Sequence, residues 1–162
     1  MSTKIDDLAE PFRTKAKAFF EAISEDPGLK ELGAAGFIVL ETRRKPEVQA
    51  AYFSRLLASM APAKYRKQAV LFVQALYKAA GLYEIRASDA VKPVTWTMQS
   101  RHLDGQAMDI WPAKDGKNLW WAPAEWEGWT RLAEIAKEHG IEAGFTWAEE
   151  ERDPPHFQEA AQ

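Results

Sequence analysis

Four residues of suitable chemical type stand at spacings that could build one reactive site. The stretch SRHLDGQAMDI, residues 100–110, carries His102 and Asp109 with Gly105 between them, in a chain with three histidines and no cysteine. A second stretch, DPPHFQ at 153–158, adds Asp153 and His156. Imidazole and carboxylate are zinc donors, and a catalytic zinc site usually takes three protein ligands and leaves a fourth position for water. An extended chain would separate His102 from Asp109 by about 23 Å and turn them to opposite faces. A straight helix would put them about 10 Å apart along its axis. Neither lets both reach one ion through bonds of about 2 Å. The chain has to double back, and Asp104-Gly105 supplies the means: glycine accepts backbone angles other residues resist, and aspartate favours turns.

His156 is the natural third ligand. His139 competes for that place, but it stands at a helix end just before Gly140, where a cation complements the helix dipole with no metal. Zinc lowers the pKa of a bound water from about 15.7 to about 7, making hydroxide available at neutral pH. A carboxylate beside it can take the proton and pass it to a leaving amine. Asp153 suits that role because Pro154 and Pro155 stiffen its link to His156; Glu149, Glu150 and Glu151 are alternatives in the same acidic run. Taken alone, His102 reads more often as a surface or capping residue and DPPH as an ordinary loop; the combination carries the metal reading. The acidic residues lack the ligand order of a calcium loop, and no serine–histidine–acid set is apparent. The absence of cysteine removes disulfides, thiolate metal sites and a cysteine nucleophile.

The elements that must position these residues follow from periodicity. QAMDIW, 106–111, alternates and predicts a strand carrying Asp109; AGFTW (143–147) and PHFQ (155–158) are short strand candidates, and GFIVLE (36–41) reads as a buried strand. Leu8, Phe12, Ala16, Phe19 and Ile23 recur at helical spacing and predict a helix over about Glu10–Ser24, with Pro11 in its first turn and EDPG ending it. Pro46 opens a helix with Val48, Tyr52, Leu56 and Met60 on one face. Pro62 opens another, lined by Ala69, Val73, Leu76 and Ala80 and stopped by Gly81. Residues 83–99 show a weak pattern, with one short strand expected at Tyr83–Arg86. A turn falls at Asp115-Gly116. Pro123 opens a last helix with Trp129, Leu132, Ala133 and Ala136 on one face, closed by His139-Gly140. Helices come first, then short strands around one helix, which is an α+β order.

The bulk properties narrow the function. A length of 162 residues suggests a single domain over 1–162, with residues 1–30 as an N-terminal helical extension packed on it. The net charge of −3 and pI near 5.7 give no electrostatic case for nucleic acid. The start, MSTKIDDLAEPF, lacks the apolar core of a secretory signal, and the run Ala34–Leu40 is too short to span a bilayer. Cytoplasmic synthesis without a signal peptide is the expectation. Five of the seven tryptophans, Trp111, Trp120, Trp121, Trp126 and Trp129, fall in one short segment; they read as core packing or as an aromatic wall beside a cleft.

These residues resemble the signature of the LAS metallopeptidases, the VanY/M15 group of peptidoglycan peptidases: Ser-x-His-x-x-Gly-x-Ala-x-Asp, then much later a carboxylate, two residues and a histidine. Ser100, His102, Gly105, Ala107 and Asp109 fill the first part, and Asp153 and His156 the second. FIVLETRRKPEVQ, 37–49, resembles the family's upstream segment, an apolar strand followed by Arg-x-Pro-Glu-x-Gln. It aligns Arg44, Pro46, Glu47 and Gln49, with Arg43 adjacent. The resemblance runs from about Gly36 to Gln158. It departs where relatives often carry Gly-Gly-Asp-Trp: Gly144 and Trp147 are kept, and Thr146 replaces the acid. It implies a single-domain α+β zinc fold with a small antiparallel sheet and packed helices. It further implies Zn2+ held by His102, Asp109 and His156, with Asp153 as catalytic base. Arg44 would position the substrate or stabilise charge developing on the attacked carbonyl, as a fixed guanidinium does well. Ser100, Gln49 and Trp147 would stand at the substrate.

The activity the resemblance implies is hydrolysis of an amide in the peptidoglycan stem peptide. The first expectation is an L-alanyl-D-glutamate endopeptidase acting as a phage or prophage endolysin. It would be a monomer, without stable membrane insertion, reaching the cell wall in the periplasm through a separate holin-like protein. A D-alanyl-D-alanine carboxypeptidase or dipeptidase is the near alternative. A zinc-stabilised, non-catalytic wall-binding module is the alternative of another class. Asp153 separates that last reading from the first two, since a pure binder has no need of its carboxylate.

Overall fold

The alternation in 106–111 buries Met108 and Ile110 and leaves Asp109 half-buried on the opposite face, as a strand's two-residue period requires. In the computed structural model, which describes residues 2–161, this strand is β2 (Ala107–Ala113). It pairs on one side with β1 (Gly36–Glu41) and on the other with β4 (His156–Glu159), and β4 pairs with β3 (Ile141–Ala143). All three pairings are antiparallel, in the order β1-β2-β4-β3. Helices α1 (Phe12–Glu25), α2 (Pro27–Glu31), α3 (Pro46–Ser59), α4 (Arg66–Ala79) and α5 (Gly128–Glu138) complete an α+β protein.

Two compact units divide the chain: Met1–Arg43 together with Asp104–Gln162, and the continuous segment Arg44–Leu103. The first contains the sheet. Its core joins Phe12, Ala16, Phe19 and Ile23 of α1, Leu132, Ile135 and Ala136 of α5, and the inward residues Met108, Ile110, Ile141, Ala143 and Phe157 of the strands. The α1 set keeps the helical spacing of one apolar face, so the N-terminal helix is part of this core. Each such large side chain, fully buried, contributes roughly 1.5–3 kcal/mol. The clustered tryptophans form a continuous series of edge-on contacts, Trp121 to Trp111 to Trp129 to Trp126 to Trp120, with centroid separations of 4.7, 5.5, 5.2 and 5.1 Å. Trp129 lies within the core, and Trp121 is the exposed end. The second unit is built on α3 and α4, with Ala51, Ala58, Val73, Tyr77, Ile85 and Ala90 at its centre.

Several boundaries differ from those the pattern predicts. No strand forms at Tyr83–Arg86: Ile85 is buried, and its carbonyl accepts from Gln74 Nε2 at 3.1 Å, so a side chain takes the place of a strand partner. Residues 63–65 make a 3-10 turn before α4. The last helix starts at Gly128, well past Pro123. Two indoles hold the intervening chain in turns, Trp126 Nε1 donating to Leu32 O at 2.9 Å and Trp129 Nε1 to Pro123 O at 3.0 Å. The EDPG break begins a new short helix, α2, capped by Asp26, whose Oδ1 accepts from Leu29 N at 2.8 Å. AGFTW is only partly strand: β3 ends at Ala143, and residues 144–146 turn as a 3-10 helix.

Candidate active site

Strand register fixes half of the site. Asp109 on β2 stands directly opposite His156 on β4, and Glu142 on β3 directly opposite Gln158 on β4. Because His156 and Gln158 are two apart, all four belong to the face of the sheet that does not carry Met108, Ala143 and Phe157. His156 Nδ1 lies 3.2 Å from Asp109 Oδ1, and His156 Nε2 lies 3.2 Å from Gln158 Oε1.

His102 comes from the loop ahead of β2. Leu103 N donates to Ser100 O at 2.9 Å and His102 N to Ser100 Oγ at 3.4 Å, so Ser100 shapes the turn that presents the imidazole. Gly105 follows with φ +67°, the left-handed conformation that glycine adopts without penalty. A Cβ there would sit 3.0 Å from Ala9 N, whose amide donates to Gly105 O at 2.9 Å. The turn expected between His102 and Asp109 is therefore present, and residue 105 is tightly enclosed.

The three side chains singled out for a metal come together: one ligand atom from each of His102, Asp109 and His156 lies within 4.8 Å of the others. Among the described residues no other three His, Asp, Glu or Cys side chains gather so closely. Two imidazoles and a carboxylate, with both histidines buried, are a donor set suited to zinc. Atoms bonded about 2.1 Å from one tetrahedral ion stand about 3.4 Å apart, close to the 3.2 Å between His156 Nδ1 and Asp109 Oδ1. His139 is elsewhere, at the C-terminal cap of α5, with Nδ1 2.8 Å from Ile135 O.

Asp153 is held by a turn. Its N donates to Gly144 O at 3.1 Å, and His156 N donates to Asp153 O at 3.1 Å across Pro154-Pro155. Gly144 makes this approach possible: a Cβ there would fall 2.5 Å from Asp153 O and 3.1 Å from His156 Cβ. The Asp153 side chain is exposed. Its charge acts on His156, whose pKa is raised above the ordinary 6.5: burial lowers it, and the hydrogen bond and charge of Asp109, with the charge of Asp153, outweigh that. Glu149, Glu150 and Glu151 are all exposed.

Arg44, the first residue of the second unit, is buried, and Arg43, the residue before it, is exposed. Arg44 Nη1 donates to Gln49 Oε1 at 2.6 Å, its guanidinium lies 4.9 Å from the Tyr52 ring centroid, and its backbone N donates to His102 O at 3.0 Å. Gln49 has no exposed surface. Its Nε2 donates to Thr97 O at 2.5 Å and Thr95 Oγ1 at 3.2 Å. Gln49 thus braces Arg44 against the 95–97 loop. Trp147 packs its ring 5.1 Å from the His156 ring and donates through Nε1 to Glu142 Oε1. Glu142 and Gln158 are the site residues that sequence reasoning missed. The only signal for them was alternation: Gln158 lies two residues after His156.

Residues 94–159 match the family model of D-alanyl-D-alanine carboxypeptidase, of M15 type. Over that segment the chain is similar to the M15-type peptidases. The fold is similar to that of the solved L-Ala D-Glu endopeptidase ChiX of Serratia marcescens, with a TM-score of 0.51 and 17% identity, covering 96% of this chain and 83% of that one. No curated protein matches the sequence. None of the described helices is long and apolar enough to cross a membrane.

Proposed function

We propose that the protein is a zinc-dependent peptidase that hydrolyses the stem peptide of bacterial peptidoglycan between L-alanine and a D-glutamyl residue. The observation that carries this reading is the His102–Asp109–His156 group, with its three donor atoms within 4.8 Å of one another. The solved neighbour's cleavage of an L-Ala–D-Glu bond supports the choice of bond.

Zinc held by His102, Asp109 and His156 would supply Lewis acidity and a water acidified to about pKa 7. The protein's own groups do the rest. Asp153 receives the proton of the attacking water and returns it to the leaving amine; the backbone turn that ties Asp153 to His156 and the effect of its charge on that imidazole support this role. Arg44, restrained by Gln49, stabilises negative charge developing on the attacked carbonyl oxygen, and a restrained guanidinium needs little reorganisation to do so. Ser100 shapes the loop of His102, and Trp147 covers the His156 ring. The protein acts as a monomer, as a phage or prophage endolysin that a separate holin-like protein releases to the wall.

The description of the matched family favours a second reading, D-alanyl-D-alanine carboxypeptidase. Mass spectrometry of muropeptides after digestion of purified peptidoglycan separates the two. New L-alanine C-termini support the endopeptidase, and loss of terminal D-alanine alone supports the carboxypeptidase. If no new amino group appears with zinc supplied, the enzyme reading fails and the wall-binding alternative stands.

A further inference from the structure

His156 has two ring nitrogens, and a metal ligand must offer the correct one. Gln158 Oε1 lies 3.2 Å from His156 Nε2. An amide oxygen only accepts, so this contact is a hydrogen bond only when the ring's proton is on Nε2. What keeps that oxygen, rather than the amide nitrogen, toward the ring is Glu142: Gln158 Nε2 donates to Glu142 Oε2 at 3.4 Å, and a carboxylate cannot donate in return. Glu142 is held in turn by Trp147, whose Nε1 donates to its other oxygen, Oε1. Strand pairing puts Glu142 opposite Gln158 and His156 opposite Asp109, so the row is built into the sheet.

The geometry points to Gln158, backed by Glu142 and Trp147, as a positioning residue that fixes the His156 ring with Nε2 protonated and Nδ1 turned toward Asp109 and the metal. Ligating histidines generally donate their second N–H to such a partner, and loss of the partner typically weakens metal binding about 10- to 100-fold. This chain places a neutral amide in that position and sets the amide's direction with an acid one strand away. Trp147 therefore acts on the metal ligand through Glu142 as well as by covering the ring. The inference rests on the metal reading above.

The test is zinc affinity, measured by competition with a chromophoric chelator, together with the melting temperature of the metal-free protein. Gln158→Met keeps length and apolar contact and removes the acceptor. It is expected to weaken zinc binding about 10- to 100-fold, while the metal-free melting temperature stays near wild type. Glu142→Ala releases the amide to turn over and is expected to give a smaller loss. The double variant Gln158→Glu with Glu142→Gln reverses acceptor and donor while satisfying His156 Nε2, both strand partners and the Trp147 indole. It is expected to restore most of the affinity, which a merely structural role does not explain. Wild-type affinity in Gln158→Met overturns the inference while leaving the metal reading intact, as does a double variant as weak as Gln158→Met. A wild-type protein that binds no zinc removes both readings together.

Discussion

Asp109, His156, Glu142 and Gln158 keep their places through strand pairing: each stands opposite another of the four in the register of β2, β3 and β4. Arg44, Gln49, Ser100 and His102, in the other unit, keep theirs through individual hydrogen bonds on irregular chain or at a helix start. Arg44 N donates to His102 O, Gln49 Nε2 to Thr97 O, and His102 N to Ser100 Oγ. In the first case a backbone ladder shared by many residues sets the geometry. In the second, single polar groups set it, and each is indispensable to its own link. A paired strand tolerates change at one side chain because its neighbours hold the backbone. A braced loop passes the loss of one amide directly to the residue it supports.

The largest effect should come from the sheet side. His156→Ala removes a donor from the group, and bound zinc, read by elemental analysis, should fall with essentially all turnover on purified peptidoglycan; retained metal and activity would refute the ligand assignment. Next is Asp153→Ala, which should lower kcat by about 10²- to 10⁴-fold with metal content unchanged, in a single-turnover assay of amide cleavage. Turnover equal to wild type would exclude Asp153 as the base.

On the braced side, Gln49→Ala strips Arg44 of its buried acceptor and releases the 95–97 loop. A cost of about 1–3 kcal/mol is expected in urea unfolding, with KM or kcat impaired while zinc affinity holds. A larger loss of zinc than of stability would contradict the division between the two sets. Gly144→Ala is comparable: its Cβ would meet Asp153 O at 2.5 Å, so overpacking of about 1–3 kcal/mol should accompany displacement of the Asp153 turn, visible as a drop in kcat.

The smallest effect is in pH. In the metal-free protein the raised His156 pKa contributes stability that is fully present below the unfolded value of about 6.5 and is lost as pH rises through the folded value. The chelated protein should therefore melt at progressively lower temperature across that interval. Zinc affinity should rise over the same interval, because the ion takes the place of the proton on Nδ1. Asp109→Asn should flatten the melting trend; an unchanged slope would show that the pair is not its source.

The same contrast explains what could be read from the amino-acid order. β1 was legible at both ends because Gly36–Glu41 is a short apolar run beside turn residues, and α3 because Pro46 marks its start. His102 and Asp109 could be grouped because Gly105 announces the turn that their meeting requires, and His156 because a catalytic zinc site takes a third protein ligand. The brace of Arg44 by Gln49 and of Gln49 by Thr97 was not legible, since no periodicity records which irregular segment a glutamine will meet. Nor was Glu142, which is distant in sequence from Gln158 and becomes its neighbour only when β3 pairs with β4. The missing strand at 83–86 has a related cause: a short apolar stretch becomes a strand only if another edge is present to pair with it.

The chain of touching indoles has a practical outcome. Six of the seven tryptophans lie in the sheet-bearing unit, and Trp96, 69% exposed, is the one in the helical unit. Excitation absorbed anywhere in the five-ring array can migrate between neighbours before emission, so that signal should extinguish or shift as a single event when the array comes apart. Trp96 should glow separately at the red edge, open to aqueous quenchers from the outset. Intrinsic fluorescence alone can then tell whether the two halves of this molecule melt together or one before the other.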